Sequence, residues 1–236
     1  MTQANTARKV PTRRMSFDES LRDVPRHFAA DGDLIASHVG GALSAVFPDG
    51  EDFFVRSVRR FRDQITDPEL KRQVAGFIGQ EAMHGREHRV YNAWLSEHGY
   101  PAEKLERGVI KFLEVVCKTT SRGQRLGATI ALEHLTAIMA DNVLGEPQVL
   151  KTSDKNMAAL WRWHAIEETE HKAVAYDVYR EVFGDGPVAY TRRSITMLVA
   201  TGLFWAMLLT YHLRLVREEK ALGDVRGWAS YLRFLF

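Results

Sequence analysis

The sequence has a single cysteine, Cys117, so it can form no internal disulfide and no cysteine-built zinc site. One thiol in 236 residues suits a reducing compartment, and a cytoplasmic location is the expectation. There is no Asn-Gly hairpin signal and no convincing alternation of apolar and polar residues, which argues against strands. Net charge is only +2, too little to suggest nucleic acid, and no nucleic-acid-binding signature is present. The first twenty residues are basic and polar and lack the apolar run of a secretory signal. Residues 1–20 are expected to form a flexible basic arm.

Only seven prolines punctuate the chain, and long runs of helical period lie between them. The prediction is an all-α protein with a single domain over residues 21–222 and a tail over 223–236. Helices are expected over Asp33 to Val46, Glu51 to Ile65, Thr66 to His98, Glu103 to Thr119, Gln124 to Val143, Ser153 or Asp154 to Phe183, and Pro187 to Leu222. "FPDG" at 47–50 reads as a break, with Glu51 near the start of the helix that follows. Thr66 reads as an N-cap ahead of Pro68.

Ligand-type residues crowd two of these helices. In "GQEAMHGREH", Glu81, His84 and His88 fall within an arc of roughly 60°. In "WRWHAIEETEH", His164, Glu168 and His171 span a similar arc, with Glu167 on its edge and Glu170 pointing away. Each helix thus presents Glu-x-x-His on one face. Two other helices carry a lone glutamate, Glu51 and Glu133. Glu133 sits in "GATIALEHLTAIMAD", where an unpaired carboxylate would be costly; the adjacent His134 points elsewhere. Counted from the predicted turns, all these groups stand at similar height, roughly 22 Å along their helices.

Two lone glutamates plus two Glu-x-x-His motifs form the ligand set of di-iron and di-manganese carboxylate proteins built on ferritin-like four-helix bundles. The expected cofactor is two divalent ions, iron first, with manganese or zinc as alternatives. The expected ligands are Glu51, Glu81, His84, His88, Glu133, His164, Glu168 and His171. Glu167 is either an alternative ligand or a residue that orients His171. His27, His38, His98 and His212 read as surface or satisfied core histidines, and Tyr179 as a candidate pocket residue.

"FPDGEDFF", "FIGQEAMHGREH" and "WHAIEETEHKAVAYDVY" resemble the bacterial family of predicted metal-dependent hydrolases, from about Pro11 to the last helix. That resemblance implies a ferritin-like fold, here with additional N- and C-terminal helices. His-x-x-x-Glu-x-x-His, as His164, Glu168 and His171, is also similar to the last helix motif of the di-iron arylamine N-oxygenases. Those enzymes add a third histidine, and the analogy gives Glu51, Glu81, His84, Glu133, His164, Glu168 and His171. His88 is a further histidine outside that pattern, open to a role as ligand, outer donor or proton shuttle.

The preferred expectation is a dioxygen-dependent oxygenase or hydroxylase acting on a small or lipid-like substrate, with an external electron donor. The alternatives are a metal-dependent hydrolase using a metal-bound hydroxide, and non-enzymatic iron binding. "ITMLVATGLFWAMLLTY" at 195–211 is nearly free of charge. It reads either as a helix buried in the bundle or in a homodimer interface, or as a membrane-surface or membrane-inserted segment. The closing "LRFLF" reads as an apolar docking segment.

Overall fold

The computed structural model describes residues 9–145 and 148–235. Among them there is no strand. The helices are α1 (Leu34–Arg59), α2 (Pro68–Glu97), α3 (Ala102–Thr119), α4 (Arg122–Gly145), α5 (Gln148–Lys151), α6 (Lys155–His171), α7 (Val174–Phe183), α8 (Pro187–Glu218) and α9 (Val225–Leu235). The all-α prediction holds.

Helices α1, α2, α4 and α6 surround the centre. Cross-contacts show that α2 runs antiparallel to both α1 and α6. Ser44 meets Asn92 while Glu51 meets Gly85. His88 meets His164, His84 meets Glu167, and Gln80 meets His171. Helix α4 packs against α6, α7 and α8, and α3 packs against α1.

The core has two apolar clusters. One is built from Phe47, Tyr91, Trp94, Leu160 and Trp163, and the other from Phe53, Phe54, Phe77, Leu126 and Val174. Along α1, α2 and α6–α7, the ligand-type residues fall in sequence between the two clusters. A polar layer is therefore sealed above and below by apolar side chains.

Several boundaries differ from expectation. Helix α1 does not break at "FPDG" but runs through Pro48 to Arg59. Pro48 cannot donate to the Ser44 carbonyl one turn earlier. That carbonyl instead accepts from Asn92 Nδ2 at 3.0 Å, and Asn92 Oδ1 accepts from Ser44 Oγ at 2.8 Å. A partner on another helix thus repairs the missing bond. Asn92→Leu is expected to lower stability by about 1–3 kcal/mol, since it leaves a buried carbonyl and hydroxyl without these partners. Denaturant unfolding of the metal-free protein would measure this.

Asp67, not Thr66, caps α2, accepting from Glu69 N at 2.8 Å. Asp154 caps α6 as anticipated, accepting from Asn156 N and Met157 N. The expected continuous helix to Phe183 is interrupted between His171 and Val174; nothing in the local sequence accounts for the break. Helix α8 ends at Glu218, and Lys220 at φ 58 turns the chain into α9, where a tail was expected.

Residues 9–20 are not a free arm; residues 1–8 lie outside the described residues. Phe17 is buried in the core, and its backbone N–H donates to Glu87 Oε2 at 2.8 Å. The segment runs over Gly76 and Gly79 of α2, where an added Cβ would lie 2.1 Å from Val10 O and 2.1 Å from Thr12 Oγ1. These two glycines make the track on which the segment lies.

Helix α8 is long and apolar enough to cross a membrane by length and composition, yet it is mostly exposed: Leu198 is 77 % and Val199 56 % accessible. The expectation of a helix buried within the chain's own bundle therefore fails. The side chains of 232–236 lie outside the described residues, and with them the docking role read into "LRFLF".

Candidate metal centre

Glu51, Glu81, His84, His88, Glu133, His164, Glu167, Glu168 and His171 are all buried, and all come from the four central helices. Glu51 lies in the C-terminal half of α1, not near a helix start as expected. A helix-end preference for acids therefore does not explain it. His134, by contrast, is exposed on α4.

The ring nitrogens and carboxylates converge. His171 Nε2 lies 3.2 Å from Glu81 Oε1, 3.4 Å from Glu133 Oε2 and 3.4 Å from Glu168 Oε1. His164 Nε2 is 3.2 Å from Glu168 Oε1, and His84 Nδ1 is 3.6 Å from the same oxygen. His84 and His164 stack with ring centroids 4.1 Å apart. Four overlapping triads each bring one donor atom per residue within 4.8 Å: Glu51–His88–His164, His84–His164–Glu168, Glu51–Glu81–His84 and Glu81–Glu168–His171.

The opposite ring nitrogens face groups outside the cluster. His171 Nδ1 pairs with Gln80 Oε1 at 3.0 Å, and Gln80 Nε2 donates to Glu170 Oε2 at 2.8 Å and to Pro11 O at 3.0 Å. His84 Nε2 faces Glu167 Oε2 at 3.2 Å. Arg13 donates to Glu167 Oε1 at 3.1 Å and to both oxygens of Glu170. Glu167 therefore backs His84, not His171 as expected. His164 Nδ1 pairs with His88 Nε2 at 2.9 Å, and His88 Nδ1 pairs with Ser44 Oγ at 3.0 Å. Both nitrogens of His88 thus have protein partners.

Gln80, Arg13 and Ser44 were not anticipated from sequence. The one available signal was a second polar residue, Gln80, beside Glu81 on a helix with a buried face. Tyr179 belongs to the second apolar cluster. It is buried, and its hydroxyl meets Arg192 Nε at 2.6 Å.

The carboxylates have almost no such support. Both oxygens of Glu51, Glu81 and Glu133 lack a hydrogen-bond partner, as do Glu168 Oε2, Glu167 Oε2, both nitrogens of His84, His164 Nε2 and His171 Nε2. Buried polar atoms are nearly always satisfied, and buried charges are paired or bind metal. A second group, His27–His38–Glu219, behaves differently. There Glu219 already accepts from Arg26 Nε at 2.8 Å and from Tyr100.

A family model described as "predicted metal-dependent hydrolase" matches residues 11–236. The chain belongs to that family. No curated protein and no solved structure matches it. The family implies a metal ion, and the cluster fits one, with many oxygen and imidazole ligand atoms converging and most of the carboxylate oxygens lacking a hydrogen-bond partner.

Without an ion the cluster is electrostatically frustrated. Burial, then repulsion from Glu168 and Glu133, pushes Glu51 well above the usual carboxylate range, and burial does the same to Glu81. Glu133 rises to about 8, chiefly through burial. Burial lowers His171, but Glu133 and Glu168 outweigh it and bring the ring to about 9. Burial would raise Glu168, yet His171 and His164 hold it well below its ordinary value. His84 and His88 are lowered by burial and then by His164. Protons on the raised groups occupy the place of cations.

Proposed function

We propose that this protein is a dinuclear metal enzyme built on a ferritin-like four-helix core, and that its reaction is hydrolytic. The observation that carries this reading is the convergence of four buried carboxylates, of which Glu51, Glu81 and Glu133 have no hydrogen-bond partner on either oxygen and Glu168 has none on Oε2. Ionised together they carry about four negative charges, which two divalent ions neutralise. The hydrolytic assignment follows the family description and places that alternative ahead of the oxygenase expectation.

When bound, the ions would ionise a water near neutral pH and polarise the scissile group. The chain's own residues set the stage for this. Gln80 fixes the ring of His171 so that its Nε2 faces inward, and Glu167 lies 3.2 Å from His84 Nε2, on the side away from the inward His84 Nδ1. His88, held by Ser44, fixes His164 so that its Nε2 faces Glu168. This makes His88 a positioning residue and leaves three imidazoles as ligands. Arg13 anchors Glu167 and Glu170 together and thereby steadies two of those rings. The apolar clusters on either side keep bulk water out.

A dioxygen-dependent oxygenase is the second reading. The observation that favours it is the third imidazole, His164, stacked on His84 beside Glu168. Nitrogen-rich carboxylate sites suit iron, and this reading requires an external electron donor. One experiment separates the two. Zinc-loaded protein is assayed anaerobically against a panel of carboxylic and phosphoric esters, and Fe(II)-loaded protein is mixed rapidly with oxygen. The hydrolytic reading expects turnover with zinc and no need for oxygen. An oxygen-dependent optical transient, with no turnover by the zinc form, would replace it with the oxygenase.

A further inference from the structure

An apolar pocket of about 210 Å³ opens between α1, α3, α4 and α8. At about 30 Å³ per water-sized group, it has the scale of a medium-length alkyl chain. Its lining includes Gly50 and Leu132, the chain neighbours of Glu51 and Glu133, together with Phe54, one turn beyond Glu51. The pocket therefore adjoins the two helices that carry the lone glutamates of the metal centre. Its outer rim is formed by Ile195, Val199 and Leu203 of α8, which are themselves exposed to solvent.

A second cleft, about 590 Å³, lies between α1, α3 and α4 and shares Phe53, Leu113 and Arg125 with the first. The two lie side by side across these residues, but their chemistry differs. The second cleft is lined by Arg56, Arg60, Arg122 and Arg125 against Asp49 and Glu114. Arg56 is paired with Asp52, so the other three arginines outnumber the two lining carboxylates. Guanidinium groups suit carboxylate and phosphate oxygens in geometry as well as in charge.

We infer that the cavity takes an anionic amphiphile, with its alkyl chain in the apolar pocket and its carboxylate or phosphate head in the arginine-lined cleft. This rests on the proposed function only in relating that amphiphile to the metal centre, for which a phospholipid would be the ester substrate and a fatty acid the product. A free fatty acid and an acidic lipid in a bilayer share this chemistry. The exposed apolar side of α8 gives either one an entry to the pocket without crossing a charged surface.

The test uses zinc-loaded protein and decanoate below its micelle concentration, measured by calorimetry, with decanol as the neutral control. Decanoate is expected to bind at least tenfold more tightly than decanol. Val199→Trp, at an exposed position on the pocket rim, should weaken both ligands about tenfold or more. Arg60→Glu with Arg122→Glu should weaken decanoate by a similar factor and leave decanol unchanged. Cosedimentation with phosphatidylglycerol vesicles reads the lipid source; binding there that the arginine variant loses also supports the inference. Equal binding of decanoate and decanol would overturn it. So would decanoate binding that the arginine variant retains, which would mean capture of the head by the metal. No binding to either decanoate or vesicles would overturn it as well. Zinc content is determined on the same samples. Protein that binds decanoate but holds no zinc overturns the metal reading alone, whereas protein that holds zinc and ignores every amphiphile overturns this inference alone.

Discussion

Glu133→Ala is expected to lower metal affinity by about 100-fold and to leave helix content unchanged. Outer partners of metal ligands are worth about 10–100-fold in affinity, so a carboxylate facing the metal should reach the top of that range. The residue sits in an otherwise apolar stretch of α4, almost wholly buried, and neither of its oxygens has a hydrogen-bond donor. Its nearest cationic neighbour is His171, 3.4 Å away. A carboxylate kept for the fold would have donors, as Glu87 has the backbone N–H of Phe17. In the metal-free protein burial disfavours Glu133, but the carboxylate also supports the charge on His171, so the two effects of removing it oppose each other and that form should melt at a similar temperature. The metal-loaded form should melt lower, because less binding energy supports it. Metal titration and thermal melts with and without zinc test both halves. Full metal occupancy with a lower melting point for the metal-free variant would show that Glu133 serves as a structural partner of His171.

The centre was legible in the sequence because helical geometry is local. Residues three, four and seven apart share a face, so Glu81, His84 and His88, and His164, Glu168 and His171, could be grouped without knowing what they met. What needed a distant partner was not legible. Pro48 looked like a helix end because the residue that repairs its missing bond, Asn92, lies on the next helix. The segment at 9–20 looked like an arm because its polar residues find partners far along the chain: Arg13 meets Glu167 and Glu170, and Pro11 meets Gln80. Its track over α2 depends on two glycines that read only as mild helix weakeners. Helix α8 was read partly as a buried element because it is apolar on nearly every side. Apolar composition marks a helix that avoids water, but it does not say what covers it. The outer partners of the centre escaped for the same reason as Asn92, since Gln80 and Ser44 acquire a role only once α1 and α6 lie against α2.

Raising the pH from 6.5 to 9 is expected to destabilise the metal-free protein while tightening its hold on metal. Glu133, ordinarily near 4.5, is raised to about 8, and His171, ordinarily near 6.5, to about 9. Both groups keep a proton in the folded chain over a range where the unfolded chain has released it. Their contribution to stability is complete below the unfolded values and is lost as pH rises through the folded ones. Glu51 and Glu81, raised well above their ordinary value, act in the same direction. The opposing groups fall silent in this window. His84 and His88 are lowered from 6.5, so their effect ends there, and Glu168, held low, matters only in acid. Above pH 6.5 the balance therefore runs one way, and the melting temperature of chelator-treated protein should fall steadily. Metal reverses the trend, because ligands must lose their protons before they bind it. Each proton displaced tightens binding by about tenfold per pH unit, and Glu133 and His171 together allow up to about 100-fold. The gap between the melting points of manganese-loaded and chelator-treated protein should widen from pH 6.5 through 7.5 to 8.5. A pH indicator in weak buffer should register proton release on adding manganese at pH 7. A metal-free melting point that holds level or rises over this range would mean that Glu133 and His171 are not protonated as a pair, and the cluster would then be balanced without a cation.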